Sequence, residues 1–362
     1  MDIISRIVSS IKSPKIIAVS GKSADVTAEA VFCVFKNYFK SSKTKNPCWK
    51  DVLLGRVMIV ETDLGNLEKT SFFIKKSENP VLVATNSGDI PPDRHFFDGE
   101  KKEAELTLKL FAEMAGRGSL VLNFDDETVR EIKDKSIIPT FTFGLQGGSD
   151  LTATDVFLTT DPFFGTNFKL NFKGRTIPIW LVNLFGKEQI YAALAAAAAA
   201  EIYGLNLIEV SESLKNYRSL KGRMRLLEGI KQTKILDDTE SATPFSMTEA
   251  LEIIGKIPEA KRRIAVLGDI IGIGKYSPEA HEAMGEKAAK KADLLFTFGL
   301  RAKFIGQGAL QKGMEKEKIF QFDTIEQGKI KLQETLREGD FILVDGSKEM
   351  EMEKIVEEIK KL

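Results

Sequence analysis

Gly21, Lys22 and Ser23 stand together at the end of the apolar run "KIIAVS". Where a strand turns into a helix, these residue types can hold phosphate: the first helical N–H groups attract negative charge, the ammonium adds a cation, and the hydroxyl can reach a metal ion. The same turn can equally be a plain helix start in which Ser23 caps the first amides. A carboxylate at a strand end is a second candidate. Glu61 closes "GRVMIVE" and suits either Mg²⁺ or open solvent. His281, in a helical pattern, reads as a titratable group or as a packed side chain. Cys33 and Cys48 are the two cysteines; they suit neither a disulfide framework nor a zinc site, and read as structural residues of a reducing compartment.

The elements that must position these groups follow from hydropathy. From Lys15 the chain alternates: "KIIAVS" is a buried strand, and Val26, Ala30, Val31, Val34 and Phe35 recur at helical spacing. "GRVMIVETD" and "NPVLVATNSGD" are further short strands ending in polar loops, which puts those loops at the carboxyl edge of a parallel sheet, where open α/β folds bind ligands. A helix from Glu100 to Met114 and the strand "GSLVLNFDD" follow. Between Pro139 and Leu184, "TFTFGLQGG", "DVFLTT" and "FKLNFKGRTIPIWLVN" read as antiparallel strands. The alanine run in "KEQIYAALAAAAAAEIYGL" is a helix suited to close packing. Past the basic connector "YRSLKGRMR", strands and helices alternate to the end as a doubly wound unit. The expected organisation is α/β: a P-loop-type domain over residues 1–220 with a mostly parallel sheet and an antiparallel segment, then a Rossmann-like domain over 221–362.

Bulk properties narrow the partners. The chain has 362 residues, with 52 basic and 52 acidic side chains, so no global field draws it to nucleic acid or to an anionic membrane. No run approaches the ~18 apolar residues of a membrane span, and the amphipathic "MDIISRIVSSIKSPK" lacks the apolar centre of a signal peptide. A cytoplasmic protein is expected.

The second half carries a specific succession. "GRM", "ILDDTESATPFSMTEAL", "RRIAVLGDIIGIGKYSPEAHEAMG", "LLFTFG" and "ILVDGSKEMEMEKIV" follow GRM, DDxYNANPxSM, RRIAVLGDMxELGxxSxxxH and VKGSRxMxMEKVV in order and spacing. The chain thereby resembles the Mur ligases, ATP-dependent amide ligases that build the peptidoglycan stem peptide, and among them the MurF type, which adds D-alanyl-D-alanine. "VMIVETDLGN", "VATNSGD", "GSLVLNFDD" and "FGKEQIYAALAAAAAA" resemble the first-domain segments EMGxxxxGEI, TNIGxAH, VLNADD and GEHNxxNxLAA. Because the chain opens at the ATPase-like domain, the resemblance implies a shortened ligase without the domain that grips the uridine-diphosphate end of the substrate.

Such an enzyme makes an acyl phosphate from a carboxylate and ATP, then lets an amine displace phosphate; ATP and Mg²⁺ are the implied cofactors. By resemblance Glu61 is the metal ligand, Asn86 lies on the nucleotide side, Arg223 contacts nucleotide phosphate, and Asp237 and Asp238 lie near the ribose. Gly268, Asp269 and His281 belong to a loop facing the acceptor. The family loop TGSNGKTTT over Ser20 to Ala28 sets Ala24 at the second glycine, Asp25 at the phosphate-binding lysine and Val26 at the metal-binding threonine. Shifting the register to use Lys22 and Ser23 leaves Ala18 where the first glycine is needed. The family's metal-site histidine falls at Pro91, with His95 four residues on. Its carbamylated lysine falls at Thr107, and the His and Asn of GEHN at Glu188 and Gln189. In the second domain a family Glu has become Gly272, and VKGSR has become Val344-Asp345-Gly346-Ser347-Lys348. Two readings follow: a pseudo-ligase serving cell-wall synthesis as a binding or scaffolding subunit, or a divergent ATP-dependent acid–amine ligase with a rebuilt nucleotide site. The expected partners are a small-molecule cell-wall precursor and a protein supplying the missing substrate domain; in the ligase reading the alternative to that protein is a substrate without a uridine-diphosphate handle.

Overall fold

The structure, a computed structural model, describes residues 13–86, 99–161, 164–240, 242–258 and 260–361, with backbone only at 99–104 and 135. Its contacts form two units: Met1–Val182 with Lys187–Arg218, and Asn183–Gly186 with Ser219–Leu362.

The first unit begins with β1 (Lys15–Ser20), α1 (Ala24–Phe35), β2 (Ser41–Thr44), α2 (Trp49–Leu53), β3 (Val57–Glu61), α3 (Leu67–Lys76), β4 (Val81–Ala84), α4 (Gly99–Met114) and β5 (Ser119–Asn123). It continues with α5 (Glu127–Lys135), β6 (Thr140–Gly144), β7 (Leu151–Thr159), β8 (Gly165–Phe172), β9 (Arg175–Val182), α6 (Lys187–Ile202) and α7 (Leu207–Leu214). One sheet runs β2-β3-β1-β4-β5-β6-β7-β8-β9. Strands β1, β3 and β4 are near-continuous runs of Val, Ile, Leu and Ala with both faces covered, the pattern of a parallel sheet packed between helices. Ile16, Ala18, Met58, Val60, Leu82, Leu120 and Leu122 form the heart of one core cluster.

Two features depart from the sequence reading. The polar "SSKT" is strand β2, the half-exposed edge of the sheet beside β3; an edge strand needs no apolar face and is protected by polarity. The strand β6, expected to be antiparallel, runs parallel to both β5 and β7. The reason is helix α5, capped by Asp126, whose carboxylate accepts the Val129 N–H at 2.8 Å; a helical crossover returns the chain in the same direction. The antiparallel segment is therefore β7–β9.

Helix α6 carries the alanine run. Residues 192–200, alanines except for Leu194, are all fully buried at 0% exposure, and the helix packs on α1 and on β4 to β7. Small side chains let its backbone approach both layers, at no cost in side-chain entropy.

The second unit comprises β10 (Arg225–Glu228), β11 (Lys234–Asp238), α8 (Pro244–Gly255), β12 (Arg262–Gly268), α9 (Ser277–Lys291), β13 (Leu294–Phe298), α10 (Lys303–Gln311), β14 (Ile319–Phe322), α11 (Ile325–Thr335), β15 (Asp340–Asp345) and α12 (Glu353–Ile359). The sheet order is β10-β11-β15-β12-β13-β14, parallel except for β10 against β11. Helix α8 starts with a capping box between Thr243 and Ser246 and has Pro244 in its first turn, where the missing proline N–H costs nothing. Among the described residues no helix is long and apolar enough to cross a membrane.

Filling the α6 interface should be destabilising. Ala196→Leu is expected to lower stability by about 1–3 kcal/mol through overpacking, read as a lower urea midpoint of the transition reporting the first unit.

Candidate functional site

The turn after β1 is clamped by the end of β4. Thr85 donates from N–H and from Oγ1 to the Ser20 carbonyl, at 2.9 and 3.1 Å, and the Lys22 N–H donates to the Asn86 carbonyl at 2.9 Å. Gly21 has φ +112°, and a Cβ there would lie 2.2 Å from Thr85 Oγ1 and 2.7 Å from the Asn86 oxygen, so the approach requires glycine. The amides beyond are engaged as well. Ala24 N–H donates to Gly21 O at 3.1 Å and Thr27 N–H to Ser23 O at 3.0 Å. Val26 N–H donates to the Asp25 carboxylate at 2.9 Å. Ser23 is buried, and its side chain makes no cap hydrogen bond among the described residues. Asp25 thus places a resident negative charge at the positive end of α1, while Lys22 is exposed.

The neighbouring strand ends are also occupied. Glu61 pairs with Lys45 at 2.6 Å, and Asp63 lies 4.0 Å from the same ammonium. The hydrogen bond that Lys45 donates to Glu61 leads the effects that raise the Lys45 pKa, with smaller contributions from Asp63 and Asp25. Asn66 holds this loop by donating from Nδ2 to the Glu61 carbonyl at 2.8 Å. Deeper in, Ser20 Oγ and Thr107 Oγ1 share a buried hydrogen bond of 2.7 Å. The Tyr217 hydroxyl donates to Gln189 Oε1 at 2.7 Å, and burial pushes its pKa well above the usual phenol value.

In the second unit, Asp237 and Asp238 hold the turn that precedes β10. Asp237 accepts the Gly222 N–H at 3.0 Å and the Thr239 hydroxyl at 2.7 Å, and Asp238 accepts the Met224 N–H at 3.1 Å. Arg223, between these anchors, is half-buried; its carbonyl accepts from Ser219 Oγ at 2.6 Å. Successive strand residues face opposite sides, so Asp237 and Asp238 diverge. Asp238 instead shares a face with Asp345, its register partner on β15. Asp345 is fully buried, and among the described residues neither carboxyl oxygen has a hydrogen-bond partner. Burial first, then the Asp238 charge, raises its pKa well above the carboxylate range, against a weaker pull from the nearby Gly346 amide.

The loop after β12, which Gly268 closes, is stapled internally. Asp269 Oδ1 accepts the N–H groups of Arg301 and Ala302 at 3.0 and 2.6 Å, and its carbonyl accepts the Ser347 N–H at 3.1 Å. His281 is fully buried. Its Nε2 accepts the Ile270 N–H at 3.0 Å, which leaves Nδ1–H to donate to the Ser277 carbonyl at 2.6 Å. Burial is the main cause lowering its pKa, so the ring is neutral at physiological pH.

The Mur ligase glutamate ligase domain model matches residues 222–348, and the Mur ligase middle domain model matches residues 95–200. This chain belongs to the Mur ligase family. Over 290 residues it is 25% identical to the UDP-N-acetylmuramoyl-tripeptide--D-alanyl-D-alanine ligase of Bacillus subtilis, covering 79% of this chain and 60% of that enzyme. The Escherichia coli enzyme of the same name is 33% identical over 146 residues, 40% of this chain and 31% of that one. This Mur ligase thus matches less than two thirds of the length of either relative. Its fold is that of the MurF ligase from Thermotoga maritima in complex with ADP, with a TM-score of 0.75, 19% identity and coverage of 98% and 81% of the two chains. A MurF structure from Acinetobacter baumannii gives 0.77 at 20% identity, covering 97% and 77%.

In this Mur ligase the structure brings Gly21, Lys22, Ser23 and Asn86 into one turn at the carboxyl end of β1, with Glu61 beside β1 in register with Val19. Asp237 and Asp238 are not brought together. Pro91 and His95 lie outside the described residues, and among the described residues no group of three or more His, Cys, Asp or Glu is arranged to hold a metal ion. Lys45 is not singled out by the sequence because β2 has no apolar residue to mark it as a strand. The signal was its register: Thr44 pairs with Val60, which sets Lys45 level with Glu61.

The buried Asp345 should make stability depend on pH. Its folded pKa is raised, so its contribution is fully present below the unfolded value near 4 and is lost as pH rises through the folded value. The urea midpoint of the second unit is expected to fall as pH rises above about 4, and Asp345→Asn, which carries no charge, to have at most half that slope.

Proposed function

We propose that this Mur ligase is a pseudo-ligase, which retains the family fold as a binding or scaffolding subunit of peptidoglycan precursor synthesis and does not run ATP chemistry in its first unit. The observation that carries this reading is the β1 turn: the amides of Lys22, Ala24, Val26 and Thr27 already have acceptors, one of them the Asp25 carboxylate. A phosphate arriving there would compete for occupied donors and meet a like charge, a repulsion of about 4 kcal/mol at 4 Å near a protein surface. The residues do not fit ATP and Mg²⁺ in other respects either. Glu61 is held by Lys45, and Thr107, at the position of the family's second metal lysine, is bonded to Ser20.

A second reading has one observation in its favour. Lys22 and Lys45 are both exposed at the carboxyl end of the sheet, and a divergent acid–amine ligase could use these two cations in place of the family's lysine and metal. The relatives named as D-alanyl-D-alanine ligases supply the reaction class such an enzyme would perform.

Calorimetric titration with ATP and Mg²⁺ separates the two. The pseudo-ligase is expected to give no saturable binding at millimolar ATP and no ADP with candidate carboxylates and amines. The combined variant Ala24→Gly, Asp25→Lys, Val26→Thr should gain ATP affinity. Micromolar ATP binding by the unaltered chain that is lost in Lys22→Ala or Lys45→Ala would sink the pseudo-ligase reading and support the rebuilt site.

A further inference from the structure

The second unit contains a cavity of about 520 Å³ on the Asp237 side of β11. Lys221 from the preceding turn, Arg225 on β10, and Lys360 and Lys361 just beyond α12 all line it. In a chain whose 52 basic and 52 acidic residues cancel, four cations around one cavity are a local concentration of charge that repels itself unless an anion is present.

The two acids in the wall answer only part of that charge, which leaves the excess on Arg225 and Lys361. Glu357 is shared between Lys221, at 3.3 Å, and Lys360, which together hold its carboxyl below the usual range, Lys360 most strongly. Asp237 has both oxygens committed to Gly222 N–H and the Thr239 hydroxyl, and burial pushes its pKa up. Arg225 and Lys361 are exposed and enter no ion pair among the described residues.

Their backbones are nevertheless fixed. Arg225 is in register with Asp237 on β11, so both side chains share the cavity's face. Lys361 donates its N–H to the Glu228 carbonyl at 2.9 Å, and Lys360 bridges to Gly229. The two cations are thus presented from ordered backbone, which lowers the entropy lost on binding. Leu227, two residues on from Arg225 and on the same face, and buried Val356 add an apolar wall.

We propose that this cavity is a binding site for a phosphate monoester of a small molecule. A phosphate ester is close to a dianion at neutral pH; the planar Arg225 guanidinium can take two of its oxygens while Lys361 supplies a point charge. The volume falls within the ~300–1,000 Å³ of small-ligand sites and exceeds the needs of inorganic phosphate, so Leu227 and Val356 receive the organic group. The site is independent of the β1 turn, and its test uses no nucleotide.

The test is calorimetry of the full chain with phenyl phosphate and with inorganic phosphate at 50 mM salt. Saturable binding is expected for both, several-fold tighter for the ester. Arg225→Ala with Lys361→Ala should weaken both at least tenfold; the single variants Arg225→Gln and Lys361→Gln, checked for native circular dichroism, should each weaken both by a smaller factor. Leu227→Ser should remove the preference for the ester. No saturable binding at 10 mM, or equal affinity in the Arg225 and Lys361 variants, would overturn the site. Equal affinity of the wild type for phosphate and ester would overturn the assignment to an ester.

Discussion

At the carboxyl end of β1 the chain has to leave the sheet between two strands that still run beside it, and this constraint organises the first unit. Val19 O accepts from Thr62 on one side, and Ser20 O accepts two bonds from Thr85 on the other. With both neighbours holding the strand to its last residue, only a short turn can lead into α1, and Gly21 is the residue that can pass so close to Thr85 and Asn86. This turn engages the amides of Lys22, Ala24, Val26 and Thr27 within the protein, whereas a phosphate-binding loop must leave its amides pointing into an open nest. The charges around it are self-contained too: Asp25 at the helix start, and Lys45 with Glu61 and Asp63 at the adjacent strand ends.

The second unit treats buried polar groups in two ways. Around the loop after β12, Asp269, His281 and Ser347 are joined by hydrogen bonds that fix the backbone, so groups whose types suggest chemistry act as staples. Asp345 is the contrast: it has the same deep burial but no hydrogen-bond partner among the described residues. An unpartnered buried carboxyl is tolerated most easily as the neutral acid, and the adjacent Asp238 reinforces that preference. The alternation along β11 then sends Asp237 to the other face, where it joins the cation-lined cavity instead.

The order of strands and helices was legible from residues with strong local signals. The apolar run of β1, the alanines of α6 and the regular alternation after Arg225 carry hydrophobic period and propensity in short windows. The weakly apolar pieces were not legible: β2 has only Ser, Lys and Thr, and "ETVREIKDK" of α5 is highly charged. Missing α5 is what made β6 look antiparallel, because strand direction depends on the connection and not on the strand's own residues.

The candidate site divides in the same way. Sequence alone determined the Mur ligase succession of motifs, the presence of Asp25 two residues past the Gly21-Lys22-Ser23 turn, and the change to Asp345, because residue identity and spacing are local facts. Tertiary structure decided that Lys45 faces Glu61, that Thr107 bonds Ser20, that Asp238 meets Asp345 rather than Asp237, and that Arg225 and Lys361 border one cavity. Each of these pairings joins residues from separate segments of the chain. They are set by sheet register and by which face a side chain takes, and neither is encoded within any single stretch of chain.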